Sequence, residues 1–158
     1  MLVTREADYA IRCVLEVARH GRISAARVAA LQGISPTFLG KIVRSLARAG
    51  ILATRRGVGG GIALAVPAGS ITVLHVIEAL EGPLVLNECL SDPPRCDRIE
   101  TCPAYPVLVR AQEALRELLS VSFDRLLEAS GPATAGGISA IPLVGAWCLH
   151  DEEGGEGP

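Results

Sequence analysis

The feature of this sequence that most constrains its fold is a helix stop followed at once by a helix start. Gly33 ends a predicted helix that begins after Ser24. The pair Ser35-Pro36 is a strong start signal for the next helix, which runs to about Ala49. Two short helices joined by so tight a turn are typical of a helix-turn-helix unit. The outer face of the second helix is polar and basic, with Thr37, Lys41 and Arg44. Such a face alone is more often an ordinary solvated surface.

The segment after this helix favours DNA binding. Two short apolar runs, 51–54 and 62–66, read as strands, and they flank a tip that contains two arginines and four glycines. A hairpin of this kind directly behind a helix-turn-helix unit is typical of a wing. We expect Gly59 and Gly60 to let the backbone approach a phosphate, and Arg55 and Arg56 to enter a minor groove. A nucleotide-binding loop is rejected because no Gly-Lys-Ser/Thr follows and the next element is a strand.

The charge distribution supports a nucleic-acid surface in the first half of the chain. Residues 1–66 carry ten Lys or Arg and three acidic residues, whereas residues 67–130 carry five and ten. A locally basic segment is the electrostatic footprint of DNA binding, even though the whole chain has a net charge of −2. The predicted DNA-binding residues are Ser35, Thr37, Lys41, Arg44, Arg55, Arg56, Gly59 and Gly60.

The remaining patterns predict a mainly α-helical protein with a small β-hairpin wing. Thr4 caps a first helix to His20, and a fourth helix begins at Ser70 or Thr72 and ends near Glu81. Tyr105 to Ala129 forms the longest helical pattern, and its apolar stripe predicts a dimer contact through Leu108, Leu115, Leu119 and Leu126. Aromatic residues are only 3% of the chain, so the core must be aliphatic. The predicted organisation is a winged helix-turn-helix domain (1–82), a cysteine-rich loop (83–104), a dimerisation helix (105–130) and a mostly disordered tail (131–158).

Three cysteines lie close together in a segment that cannot be helical. Cys89, Cys96 and Cys102 are separated by six and five residues, and prolines interrupt the segment. Three thiolates without a fourth nearby suit an iron–sulfur cluster with one foreign ligand. One disulfide with a spare thiol, or three inert cysteines, are the alternatives. Neither a signal peptide nor a membrane-spanning run is visible, so we expect a cytoplasmic protein that makes no membrane contact and whose thiols stay reduced.

Taken together, these motifs resemble the IscR/NsrR family of bacterial winged-helix repressors, of the Rrf2 type. The motifs are Asp-Tyr-Ala from Asp8, Ile-Ser-x-x-Phe-Leu from Ile34, Ala-Gly-Ile-Leu from Ala49 and Arg-Gly-Val-Gly-Gly-Gly from Arg56. The run Leu-His-Val-Ile-Glu-Ala-Leu-Glu-Gly-Pro from Leu74, the three spaced cysteines and the long helix continue the resemblance. It covers residues 1–130.

The resemblance implies a homodimer that binds promoter DNA, with an iron–sulfur cluster (4Fe–4S or 2Fe–2S) on the three loop cysteines. A two-fold dimer would suit a palindromic target. In some members a histidine three residues after the last cysteine is the fourth ligand, but that position is Tyr105 here. In others it is an acidic residue on the first helix of the other subunit, which corresponds to the partner subunit's Asp8. The first cysteine gap is one residue longer than the commonest family pattern.

Two functions therefore compete. The leading one is a transcriptional regulator, expected to be a repressor, whose DNA affinity is switched by a cluster that senses nitric oxide, oxygen, iron or redox state. The alternative is a winged-helix regulator without a cluster that responds to a small molecule bound between domains. A thiol redox enzyme would need a Cys-x-x-Cys motif or an activating base beside a cysteine, and the sequence shows neither. We expect the protein not to be an enzyme.

Overall fold

The computed structural model describes residues 4–57 and 59–129, so the predicted tail lies outside the described residues. Six α-helices and one hairpin follow each other along this part of the chain. They are α1 (Arg5–His20), α2 (Ala25–Gln32), α3 (Pro36–Arg48), β1 (Leu52–Arg55), β2 (Gly61–Leu64), α4 (Val73–Glu81), α5 (Tyr105–Leu119) and α6 (Phe123–Ala129). The predicted fold class, mainly helical with a small wing, is confirmed. No helix in the described ranges is long and apolar enough to cross a membrane.

Side-chain caps set the beginnings of the first three helices where the sequence predicted them. The hydroxyls of Thr4, Ser24 and Ser35 each accept a hydrogen bond from the backbone N–H three residues later, at 3.2 Å in all three cases. These bonds satisfy donors that would otherwise lack a partner in the first helical turn. Gly33 ends α2 with φ of 63°, which lets the chain turn into α3 after only two further residues.

The core lies between α1, α3, α4 and the base of the wing. It is almost entirely aliphatic, as the low aromatic content predicted, and Phe123 is its single fully buried aromatic residue among those described. The recognition-type helix α3 turns its apolar stripe inward, and its opposite face remains exposed. The fully buried side chains include Val14, Val17, Val28, Leu39, Ile42, Leu46, Ile71, Val76 and Ile77.

The hairpin is fixed to the body by a short backbone bridge. β1 and β2 pair antiparallel from Leu52–Leu64 to Arg55–Gly61. Ile23, between α1 and α2, bridges to Ile62: its N–H donates to the Ile62 carbonyl at 3.0 Å, and the Ile62 N–H donates back at 2.8 Å. The wing therefore begins at a fixed position relative to the helix-turn-helix.

The prediction of one continuous helix from Tyr105 to Ala129 was wrong. α5 ends at Leu119, and a short non-helical link at 120–122 pairs with the segment that leads into α4. The Val73 N–H donates to the Val121 carbonyl at 3.1 Å, and the Phe123 N–H donates to the Ile71 carbonyl at 3.0 Å. This turn buries the Phe123 side chain completely in the winged-helix core. Burial of so large an apolar group, together with these two hydrogen bonds, compensates for the helical hydrogen bonds lost at the break.

Candidate nucleic-acid interface and cysteine loop

The outer face of α3 carries the polar and basic residues that the sequence predicted. Thr37, Lys41 and Arg44 are exposed and follow one side of the helix at helical spacing, and Arg48 extends the same row by one turn. The row begins beside Ser35, whose hydroxyl is already engaged as the helix cap. Ser35 thus has a structural role in addition to any contact with a phosphate.

The basic residues of α3 and of the wing have no acidic partners within the described part of the chain. Lys41, Arg44, Arg55 and Arg56 make no salt bridge there, whereas Arg12, Arg19 and Arg116 do. All four unpaired side chains are exposed. A cluster of cations without counter-charges is available to a polyanion, because no internal ion pair must first be broken.

The glycines of the wing tip are required by its own backbone. A Cβ on Gly60 would lie 2.4 Å from the Arg55 carbonyl oxygen and 2.7 Å from the Gly57 oxygen, closer than such contacts permit. Gly60 also donates its N–H to Gly57 at 2.9 Å, which closes the turn. Gly59 is exposed with φ of 73°, in the left-handed region that favours glycine.

Sequence reasoning missed Arg22 as a residue near the wing. It is exposed and directly precedes Ile23, and its Cγ lies 3.5 Å from where a Cβ on Gly61 would stand. The signal that places it there is the Ile23–Ile62 bridge. That bridge joins residues 39 positions apart and leaves no periodic pattern in the sequence.

The loop between α4 and α5 carries the three predicted ligand cysteines as free thiols. Cys89 is buried, and Cys96 and Cys102 are half-buried. Local hydrogen bonds shape the first half of this loop: the Ser91 hydroxyl donates to the Glu88 carbonyl at 2.7 Å, and the Arg95 N–H donates to the same oxygen at 3.0 Å. Within residues 4–57 and 59–129, no three histidine, cysteine or acidic side chains are grouped closely enough to hold one metal ion.

The predicted fourth ligand, Asp8, is engaged within its own helix. Its carboxylate forms a two-point ion pair with Arg12, at 3.0 Å from Oδ2 to Nη2 and 3.2 Å from Oδ1 to Nε. Both side chains are about half exposed. The carboxylate remains accessible from outside, but a metal ion would have to compete with the guanidinium. His75 is instead part of a helix cap, since its Nδ1 accepts from the Thr72 N–H at 3.3 Å.

Cys13 differs from the loop cysteines in its surroundings. It is fully buried in α1, and burial, with a smaller contribution from the negative charge of Glu16, raises the pKa of its thiol to about 12. A fully buried thiol whose ionisation is this unfavourable is a poor nucleophile and a poor metal ligand. Cys13 is therefore a core residue.

The predicted dimer residues divide between two environments. Leu108, Leu115 and Leu119 lie half-buried on α5, a helix that buries no residue fully within the described chain. Two further apolar side chains on α5 are strongly exposed, Val107 at 66% and Leu118 at 49%. Leu126 lies instead on α6, where it packs against the core of its own chain.

An open groove of about 500 Å³ lies where α3, the wing and α4 meet. Its walls are mostly apolar, and Glu78, His75 and Ser70 are its polar side chains. The remaining lining residues are Ala49, Gly50, Ile51, Val66, Ile71 and Ala79.

Comparison with known proteins places this architecture in a family. Residues 3–129 match the Rrf2 family model, described as an iron-dependent transcriptional regulator. Protein aau3 of Rhizobium meliloti (strain 1021) is 33% identical over 135 residues, which cover 82% of this chain and 86% of that protein. Protein rrf2 of Nitratidesulfovibrio vulgaris (strain Hildenborough) is 33% identical over 123 residues, which cover 76% and 82%.

Solved structures agree with this assignment. CymR, the global cysteine regulator of B. subtilis, superposes with a TM-score of 0.68 at 25% identity, covering 81% of this chain and 97% of CymR. The IscR of T. potens superposes with a TM-score of 0.66 at 25% identity, covering 87% and 94%. With its helix-turn-helix, its wing and a family match over residues 3–129, this chain is a member of the Rrf2 family of transcriptional regulators.

Proposed function

We propose that this Rrf2-family regulator acts as a homodimeric repressor at palindromic promoter DNA and that an iron–sulfur cluster on Cys89, Cys96 and Cys102 controls its DNA affinity. The observation that carries the DNA-binding half is the group of exposed, unpaired cations on α3 and the wing. The α3 row suits a major groove, and Arg55 and Arg56 at the wing suit an adjacent minor groove or phosphate.

The donor set of the loop fits the proposed cluster. Three free thiols lie within fourteen residues, and thiolates are the protein ligands that iron–sulfur clusters use. All three are free thiols on one loop, so each remains available as a cluster ligand. The cluster would supply a redox-active and nitric-oxide-reactive centre. The thiolates of Cys89, Cys96 and Cys102 would hold it.

The fourth ligand proposed is the partner subunit's Asp8. Because the Asp8 carboxylate is accessible but paired with Arg12, iron would share or displace a guanidinium contact. A carboxylate is also a harder ligand than a thiolate and so a weaker partner for iron beside sulfur. Both features would make this bond the labile one, and an Asp8→Ala variant should assemble some cluster but respond differently to its signal.

The DNA interface is tested by gel shift at fixed salt. Arg56→Ala should weaken binding by about 1–3 kcal/mol if the side chain reads a base or a narrow groove. Arg110→Ala, which removes an exposed arginine of α5 far along the chain from the wing, serves as the charge-matched control. Unchanged affinity for both Arg55→Ala and Arg56→Ala would contradict the wing assignment.

The cluster is tested on protein purified without oxygen. Wild type should contain iron and sulfide and absorb in the visible range. The iron, the sulfide and the absorption should all be lost in each of the single variants Cys89→Ala, Cys96→Ala and Cys102→Ala. Cys13→Ala is the control, because that thiol is buried in the core. Titration with nitric oxide and oxygen, followed by DNA binding, then identifies the signal.

A regulator without a cluster, responding to a small molecule, is the second candidate. The open groove beside α4, with a volume of about 500 Å³ and mostly apolar walls, is where such a molecule would bind. Metal-free protein whose DNA affinity equals that of anaerobically purified protein would favour this candidate over the first.

A further inference from the structure

The segment that joins α4 to the cysteine loop is held on two sides by side chains. The Glu78 carboxylate, on α4, accepts a hydrogen bond from the Leu84 N–H at 3.1 Å. Arg116, on α5, donates from Nη1 to the same Glu78 oxygen at 2.9 Å and lies 3.5 Å from the Leu84 carbonyl. One turn earlier on α5, Gln112 accepts from the Leu86 N–H at 3.0 Å. Residues 84–86 are thus tied by their backbone to both flanking helices.

The Glu78–Arg116 ion pair also holds backbone groups of Leu84, so it joins three elements and not only two side chains. Glu78 and Arg116 are 25% and 41% exposed, and Leu84 is buried, so the contacts are only partly screened by solvent. Loss of either charged side chain would leave the other partly buried charge and a Leu84 backbone group without their partners. We therefore expect the Glu78 carboxylate, the Arg116 guanidinium and the Leu84 backbone to behave as one unit.

The unit lies between the cysteine loop and the recognition helix. Cys89 follows Leu86 by three residues and is buried, and its turn, Glu88–Leu90, packs against α5. On the other side, Glu78 belongs to α4, which packs against both α1 and α3. Glu78 also lines the groove at the end of α3. A displacement of the loop would therefore change the contacts that Glu78 on α4 makes with Leu84 and Arg116. α4 in turn packs against α3, the helix that carries Lys41 and Arg44.

We infer that Glu78 and Arg116 are positioning residues that couple the state of the cysteine loop to the DNA-binding surface. The inference rests on the proposed function, in which the state of the cysteine loop controls DNA affinity. While the unit is intact, Leu84 fixes the start of the loop relative to α4 and α5. Moving the loop strains or breaks the Leu84 contacts, and α4 passes that change to α3. Without the unit, the loop and the DNA-binding domain change independently.

Coupling between two sites is reciprocal, so an effect of the loop on DNA binding implies an equal effect of DNA binding on the loop. The second effect can be measured in protein without a cluster. In cluster-free protein, DNA binding should restrain α3 and α4, keep residues 84–86 in place and thereby protect Cys89. The probe is the rate at which a maleimide modifies Cys89, measured by mass spectrometry of its peptide. It is compared between free protein and protein saturated with a palindromic DNA duplex selected for binding to this protein. In wild type we expect DNA to slow this reaction by about fivefold or more.

Arg116→Met and Glu78→Ala should abolish that protection, leaving the two rates within about twofold of each other. Glu78→Gln keeps an acceptor for the Leu84 N–H without the charge, so it should give partial protection and serves if the other variants fold poorly. Arg110→Met, an exposed arginine on the same helix with no salt bridge among the described residues, is the matched control and should behave as wild type. A purely structural contact would raise the free rate in the variants but leave the effect of DNA unchanged.

Full DNA protection of Cys89 in Arg116→Met, or no protection in wild type, would overturn the inference. Failure of the protein to bind iron and sulfide would instead refute the proposed cluster and leave this result standing, because the measurement uses cluster-free protein. In cluster-loaded protein, the same variants should bring the DNA affinities of the loaded and empty forms together.

Discussion

At the scale of single residues, the wing depends on the absence of side chains. The sequence suggested that Gly60 allows close approach to a phosphate, whereas the structure shows that the hairpin itself needs it. The space that a Cβ would occupy is taken by the carbonyl oxygens of Arg55 and Gly57. Both explanations require glycine at this position. The first predicts that a side chain there affects only DNA binding, whereas the second predicts that it also deforms the free wing.

Gly60→Ala should therefore deform the wing even without DNA and weaken DNA binding as a consequence. Gly40→Ala is the control for stability, since a Cβ at Gly40 meets nothing within 4 Å and the residue lies inside α3. Gly40→Ala should raise the free energy of unfolding by about 0.5–1 kcal/mol, because alanine has a higher helix propensity than glycine. Thermal unfolding and hydrogen exchange of the Arg55 and Gly61 amides provide the measurement. Wild-type exchange rates in Gly60→Ala would show that the wing backbone tolerates a side chain there.

Cys13 gives a prediction about alkaline pH. Its pKa is raised from 9.0 to about 12 by burial and, less strongly, by Glu16. Because the folded-state pKa is above the unfolded value, the stability that the protonated thiol contributes is complete below about pH 9 and is lost as the pH rises toward 12. Cys13→Ala removes this dependence. The advantage of wild type over the variant in free energy of unfolding should shrink by about 2–3 kcal/mol between roughly pH 9 and 11.

Urea unfolding of both proteins across that pH range tests the prediction. A difference that stays constant would mean that the Cys13 thiol ionises as easily in the folded protein as in the unfolded chain.

At the scale of elements, α6 belongs to the winged-helix domain although it comes last in the described chain. It packs against α1 and the turn at Ala68–Ser70, and Phe123 is completely buried beside Ile71. The two backbone hydrogen bonds at the 120–122 link hold it there. A C-terminal truncation before Phe123 would thus remove part of the DNA-binding domain's core.

Phe123→Ala should lower the free energy of unfolding by about 3–5 kcal/mol, because a large fully buried side chain is replaced by a cavity. Glu128→Ala, an exposed position on the same helix, should change it by less than about 0.5 kcal/mol. Chemical denaturation followed by circular dichroism measures both. Equal stability of the two variants would mean that α6 is only loosely attached to the core.

At the scale of the whole molecule, α5 carries apolar surface that this chain does not cover. None of its residues is fully buried within the described structure, and Val107 and Leu118 are largely exposed. A second copy of the chain is the proposed partner for this face, and two-fold pairing would place two winged helices on one palindromic site.

Leu118→Asp should convert the proposed dimer to a folded monomer, since an unpaired carboxylate would otherwise be buried in the apolar contact. The matched control is Leu31→Asp on α2, because Leu31 is 50% exposed and Leu118 is 49% exposed. Sedimentation velocity gives the oligomeric state, and circular dichroism shows whether the fold is kept. A Leu118→Asp dimer would show that the dimer contact does not include the exposed face around Leu118.

Local signals in the sequence determined most elements and much of the candidate interface. Caps, glycine stops and apolar periodicity act within a few residues, which is why Ser24, Ser35 and Gly33 predicted helix ends that the structure confirms. The exposed row on α3 follows from the same periodicity, because an inward apolar stripe leaves the opposite face in water.

Tertiary structure alone decided the features that depend on partners distant in sequence. The seven-residue recurrence of Leu119 and Leu126 reads as one helix. Only the buried site for Phe123 and the pairing of Val121 with Val73 explain why the helix breaks between them. The position of Arg22 beside Gly61 of the wing and the Glu78–Arg116–Leu84 unit likewise bring together residues far apart along the chain. No local propensity encodes such contacts, because their free energy comes from packing and desolvation that exist only once the chain has folded.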